Sequence, residues 1–221
     1  MNLSSKTYGK ARVLVLRLDR GDGRRHEVRE LTLQAMVEGD FGRAFTDADN
    51  STSLCTDTVK NVVNIVAREN LSLGNEAFCA AVADRLIEKY APVEAATVTA
   101  HETKWTRLAF GGEPHPHSFV LDANGRPVAK VVAKRGGGRA TESGVSGFTF
   151  MKTTESGWAN FIKEPYTTLA EADDRIAATA MEARWLWKAA PADYEAANKA
   201  VLDTMLEVFA TTYSRSVQGS L

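Results

Sequence analysis

Four histidines, His26, His101, His115 and His117, are the first residues of this chain whose type and spacing suggest chemistry. Two stand in Glu113-Pro114-His115-Pro116-His117, and alternate residues of a strand share a face, so both imidazoles could meet one metal ion. No third ligand lies near them in sequence, and on that spacing no metal site is expected. The run Gly136-Gly137-Gly138 invites a phosphate-loop reading, but no Gly-Lys-Ser/Thr ending opens a helix after it, so a flexible linker is expected. No Gly-x-Ser-x-Gly elbow, Walker loop or dinucleotide fingerprint is present. Cys55 and Cys79 form neither a disulfide framework nor metal-ligand spacing, and their apolar surroundings suggest buried, inert thiols in a reducing compartment. The residues therefore predict no cofactor and no metal.

The elements that must position any site are those of an ordinary globular chain. It has 221 residues, 44% apolar and 8% aromatic, enough for one large core or two small ones. With 27 basic and 28 acidic side chains, no excess of charge points to nucleic acid or to an acidic tail. The clusters at Arg24 and Arg25 and at Lys134, Arg135 and Arg139 read as solvated loops. No apolar stretch could span a membrane, and neither a secretory signal nor a Ser-Lys-Leu ending is seen, so a soluble, cytoplasmic protein is expected.

Periodicity gives the order of elements. From Lys10 to Arg20, Val13, Val15 and Arg17 alternate with Leu14, Leu16 and Leu18, a strand pattern. Gly21-Asp22-Gly23 turns it into a hairpin partner, His26 to Glu38. A helix starts at Thr56-Asp57, either of which could cap it, and carries Val59, Val62, Val63 and Val66 on one stripe. A second helix places Phe78, Val82, Leu86 and Tyr90 on one face and stops at Pro92. Strand returns over Val93–Leu108, followed by a strand pair at Ser118–Asp122 and Pro127–Ala133 turned by Asn124-Gly125. Beyond the glycine run, strands at Val145–Lys152 and Thr179–Lys188 precede a helix from Asp193 to about Tyr213, with Ala197, Val201, Met205 and Phe209 inward. This is an α+β pattern in two tandem units, residues 1–135 and 136–221, the second beginning the first one's order again without completing it.

Specific strings narrow the reading. Tyr8-Gly9-Lys10 opens the first strand, and Thr56-Asp57-Thr58-Val59-Lys60-Asn61 opens the first long helix. Lys152-Thr153-Thr154-Glu155-Ser156-Gly157-Trp158, Tyr166-Thr167-Thr168-Leu169, Asp174-Arg175 and Tyr213-Ser214-Arg215-Ser216-Val217-Gln218 follow in order. In that order and spacing the chain resembles urate oxidases, from Tyr8 to Gln218. The resemblance implies the tunnelling fold, antiparallel sheets with helices on one face, assembled as a homotetramer with active sites at subunit interfaces. It also implies cofactor-free oxidation of urate by O2 and water to 5-hydroxyisourate and hydrogen peroxide, a step of purine degradation.

The same resemblance assigns roles. Lys10 matches the family's catalytic lysine, and a lysine kept neutral by burial could take urate's proton; a solvent-facing strand lysine is the ordinary alternative. Thr56 matches the threonine that relays the proton and positions O2 or water, and the N–H of Asp57 would favour a urate oxygen at a helix start. Arg175 and Gln218 match the pair that grips urate's carbonyls and ring nitrogens, with the backbone of Val217 beside them. Otherwise Arg175 would be one half of an exposed ion pair. Trp158 holds the position where the family stacks a phenylalanine on the purine, with Phe161 as a second candidate.

The resemblance further implies two later strands bearing an asparagine and a histidine that complete the relay. The sequence reaches Leu221 before any such segment, so a truncated chain, or one whose remaining portion is supplied separately, is expected rather than a shortened functional enzyme, and alone it would leave an open sheet edge. A purine-binding or structural oligomer of the same fold is the alternative function, and a zinc-dependent pterin-processing relative is a third.

Overall fold

The structure, a computed structural model, describes residues 3, 6–21 and 23–215. In chain order the elements are β1 (Thr7–Asp19), β2 (Glu27–Gly39), α1 (Gly42–Thr46), α2 (Thr56–Glu69), α3 (Asn75–Lys89), β3 (Val93–Phe110), β4 (Glu113–Asp122), β5 (Arg126–Lys134), β6 (Arg139–Lys152), β7 (Ala177–Leu186) and α4 (Tyr194–Thr211). All seven strands pair antiparallel in one sheet, ordered β1-β2-β3-β5-β6-β7, with β4 on β3 alone. Among the described residues β1 and β7 end that order, and β4 too is paired on one side only. No described helix is long and apolar enough to cross a membrane.

Helices α2 and α3 cover one face. The alternation in β1 and β2 puts Val13, Val15, Leu31, Leu33, Ala35 and Val37 on the covered side, where they meet Val59, Val62, Val63 and Val66 of α2 and Phe78, Val82 and Leu86 of α3. Each of the valine, leucine and phenylalanine side chains, fully buried, contributes about 1.5–3 kcal/mol. The opposite face is open: Leu14 and Leu16 are 64% and 60% exposed. Arg17 occupies a covered slot, 2% exposed, over the Phe78 ring at 4.5 Å, with Nη1 donating to the Asn70 carbonyl at 2.9 Å. Burial pushes this guanidinium down to about 10, still cationic at neutral pH.

Four local expectations are corrected. Asn124-Gly125 does not close a β4–β5 hairpin. Both strands run antiparallel to β3, so they share a direction and lie end to end along one edge of it. The turn signal marks a corner instead: the Asn124 amide pairs with both backbone groups of Thr149, and Gly125 takes a φ of +74° with Phe148 against it. The run Gly136-Gly137-Gly138 is a tight hairpin rather than a flexible linker, pairing Ala133 with Arg139, so β6 starts six residues earlier than Val145. Cys55 is exposed and only Cys79 is buried. Cys55 is also the residue that precedes α2 with extended backbone angles, which makes Thr56 and Asp57 members of the first turn rather than caps.

Helix α4 is anchored differently from the others. Asp193 caps it by accepting from the N–H groups of Glu195 and Ala196. Its inward residues are only half-buried, as none of its side chains is fully covered. A polar cluster ties it down: the buried Glu76 carboxylate accepts from Asn198 of α4 at 2.8 Å and from Ser143 of β6 at 2.5 Å, and Ser143 accepts from Trp187. Replacing Glu76 with Ala strands these donors, so a loss of about 1–3 kcal/mol is expected. Denaturant unfolding together with earlier proteolytic cleavage in α4 checks this, and an unchanged midpoint would contradict it.

Candidate active site

Two groups of the sequence-derived residues come together, at opposite edges of the sheet. The first is built on β1 and the start of α2. A bulge between Lys10 and Val13, with Arg12 at φ +57°, inserts one extra residue into β1. Lys10 therefore pairs with Ala35 and Val13 with Leu33, both partners facing the helices. Without that residue the side-chain alternation would turn Lys10 to the open face. Gly9 supports the arrangement, since a Cβ there would sit 2.0 Å from the Ala35 carbonyl oxygen.

Tyr8 then ties β1 to the chain entering α2. Its hydroxyl donates to the Leu54 carbonyl at 2.8 Å and accepts from the Leu54 N–H at 2.6 Å, while its ring packs edge-on against Phe41. Two residues beyond Leu54 stands Thr56, exposed, with a side-chain hydroxyl that has no hydrogen-bond partner among the described residues. The Asp57 carboxylate accepts from Lys60 at 2.5 Å and from Asn61 at 3.0 Å. Chiefly through Lys60, with a smaller contribution from the Lys10 charge, it is held below the usual carboxylate range. Lys10 thus lies close enough to the start of α2 to be felt there, and it is exposed in the single chain. A Tyr8→Phe variant is expected to lose about 1–3 kcal/mol, because both Leu54 groups lose their partner. Thermal melting measures this, and full retention of stability would show that the tether is idle.

The second group lies in the loop between β6 and β7. Trp158 exchanges two backbone hydrogen bonds with Ala172, bringing the chain back so that the Arg175 guanidinium sits 5.7 Å from the Trp158 ring. Phe161 stacks on the same ring, 6.3 Å between centroids and 19° between planes. Asp174 holds the loop root through Thr154 at 2.7 Å, and that bond, with nearby backbone N–H groups, keeps its carboxyl low. Lys152 clamps the end of α4 by donating to the Phe209 and Thr212 carbonyls. Ser214 and the Glu155–Gly157 backbone pair, and the Tyr213 hydroxyl donates to the Asp173 carbonyl. Arg175 has no carboxylate partner among the described residues, against the ion-pair alternative. Val217 and Gln218 lie outside the described residues.

No described contact joins the two groups. Five strand spacings separate β1 from β7, which at about 4.8 Å each is roughly 24 Å along the sheet. What sequence reasoning missed is the support: the Tyr8 tether, the bulge that aims Lys10, and buried Arg17. Only Arg17 had a signal, a charged residue in the slot that follows Val13 and Val15 on the covered side of the strand.

A single antiparallel sheet with two long helices laid on one face and its edge strands free is the architecture of the tunnelling fold. The uricase family model matches residues 6–132 and 141–221. The uricase of Cyberlindnera jadinii is 33% identical over 234 aligned residues, covering 99% of this chain and 77% of that protein. The uricase of Aspergillus flavus is also 33% identical, covering 97% and 74%. Among solved structures, the uricase from Arthrobacter globiformis superposes with a TM-score of 0.90 at 31% identity, over all of this chain and 74% of that one. The chain belongs to the uricase family.

Proposed function

We propose that the protein oxidises urate with O2 and water to 5-hydroxyisourate and hydrogen peroxide, at sites that each combine the two groups from different subunits. The observation that supports this best is their placement: a proton-handling cluster at one sheet edge and an aromatic plate with a donor fork at the other, too far apart to meet in one chain. Docking the β1 edge of one subunit beside the β6–β7 loop of another brings them together, in a homotetramer whose subunits each hold the units 1–135 and 136–221.

The chemistry follows from the side chains. Urate must lose a proton before it gives electrons to O2. Lys10 takes that proton through Thr56, whose free hydroxyl can both donate and accept. A second subunit covering Lys10 would supply the burial that favours its neutral form. The Asp57 N–H, in the first turn of α2, points positive charge density at an anionic oxygen. Trp158 stacks on the purine, Arg175 grips one edge with two parallel N–H groups, and the Val217 backbone and Gln218 complete the grip. Water then adds at the oxidised carbon, and O2 leaves as hydrogen peroxide with both electrons. The reaction needs neither metal nor organic cofactor, and two unpaired cysteines suit a cytoplasmic setting.

The test is to mix the purified protein with urate and follow urate absorbance and peroxide together. Equal loss of urate and appearance of peroxide is expected. Binding of urate without peroxide would contradict the oxidase reading and favour a purine-binding oligomer.

A further inference from the structure

We propose that Phe161 is a positioning residue for the substrate site: it backs one face of Trp158 and so presents the other face of the indole to the purine. This role rests on the reading of Trp158 as the plate on which urate stacks. The two rings lie 6.3 Å apart between centroids with 19° between their planes, within the range of an offset stack. A flat ring has two faces. With Phe161 against one, the purine is left the other, and the Arg175 guanidinium, 5.7 Å from the indole, is near enough to grip its edge.

The chain between the two rings is built to fold back. Trp158 is fixed by its two backbone bonds with Ala172, at 2.8 and 3.0 Å. Two residues on, Asn160 takes a φ of +59°, the left-handed conformation that asparagine accepts more readily than most residues. That turn brings Phe161 against the indole, half-buried, while Ile162 beside it is 89% exposed. The Asn160 N–H donates to the Glu171 carboxylate at 3.0 Å, so the adjacent residues Glu171 and Ala172 hold both ends of the turn.

The Phe161 ring has a second neighbour. Lys163 pairs with Glu171 at 3.3 Å, and its ammonium lies 5.9 Å from the centre of the Phe161 ring. The Asn160 bond first, and then Lys163, keep the Glu171 carboxyl below the usual carboxylate range, so this latch is charged at neutral pH. Without Phe161 the indole keeps its backbone bonds but loses the ring that fixes its side-chain angles. Trp158 would then sample other rotamers, and ordering it on binding would weaken affinity for the purine. Proton transfer from the bound purine depends on Lys10 and Thr56, which Phe161 does not touch.

Anaerobic calorimetry with urate, and steady-state oxidation beside it, test this in Phe161→Ala, Phe161→Tyr, Trp158→Ala and the combination of Phe161→Ala with Trp158→Ala. Phe161→Ala should weaken urate affinity and raise KM about three- to tenfold, with kcat changed less than about twofold. Phe161→Tyr, which keeps the ring, should restore both constants. In the Trp158→Ala background the same change should cost nothing more, because the ring it supports is gone. An equal loss in both backgrounds would overturn the proposal, since Phe161 would then touch the purine itself or merely hold the loop. Unchanged affinity in Phe161→Ala would overturn it as well and leave the oxidase reading intact. A parent chain that binds no urate would instead sink that reading, and this role with it.

Discussion

A Lys10→Met variant is expected to lose urate turnover by about 10²- to 10⁴-fold, the usual range for removing a general base. Methionine keeps the unbranched shape and removes the side-chain nitrogen proposed to accept the proton. Lys10 is exposed in the single chain, and no described ion pair holds it. Its replacement should therefore change stability by less than about 0.5 kcal/mol. The Gly9 approach, the bulge and the Tyr8 tether all lie in the backbone and neighbouring residues and should persist. Steady-state oxidation rates paired with thermal melting separate the outcomes. A variant that melts like the parent but oxidises urate at near-parental rates would show that the proton goes elsewhere.

An Arg175→Ala variant should act on binding more than on chemistry. Two charge-assisted hydrogen bonds to a planar ligand are each worth about 1.5–3 kcal/mol. Allowing for partial replacement by water, urate affinity should fall about ten- to a hundredfold. Because the guanidinium lies over Trp158 and has no described carboxylate partner, little else depends on it. Arg175→Lys tests the fork itself: it keeps the charge and loses the planar pair of donors, so it should recover only a minor part of the affinity. Calorimetric titration with urate under anaerobic conditions reads the constant without turnover. Unchanged affinity in Arg175→Ala would remove this residue from the grip.

Much of the fold was legible because each element carries its own period. Val59, Val62, Val63 and Val66 declare a helix stripe, and Val13 and Val15 declare a strand face, and the structure buries all six. What periodicity could not give was pairing. Asn124-Gly125 reads the same whether the strands beside it pair with each other or with a third strand. Only the length of β3, which serves β5 along one half and β4 along the other, decides the matter. The glycine run misled for a similar reason, since three glycines suit a tight hairpin as well as a linker. The capping of α2 misled because a cap is defined by backbone angles, and Cys55 takes them without an oxygen to offer.

The candidate site was legible as strings and illegible as geometry. Lys10 and Thr56 are far apart in sequence, and nothing in their spacing says that a bulge turns Lys10 to the face that α2 covers. Trp158 and Arg175 are brought together by two backbone hydrogen bonds at Ala172, which leave no mark on residue type.

The most direct test of a site shared between subunits is complementation. Chains carrying Lys10→Met and chains carrying Arg175→Ala are co-expressed, purified as a mixed assembly and assayed with urate at a concentration that leaves the second variant nearly unsaturated. If each site draws Lys10 from one subunit and Arg175 from another, random pairing leaves about one site in four with both residues intact. The mixture should then recover about a quarter of parental activity, well above either variant alone. Activity no greater than the average of the two separate variants would contradict the account, because it would mean that both residues serve the same site from the same chain.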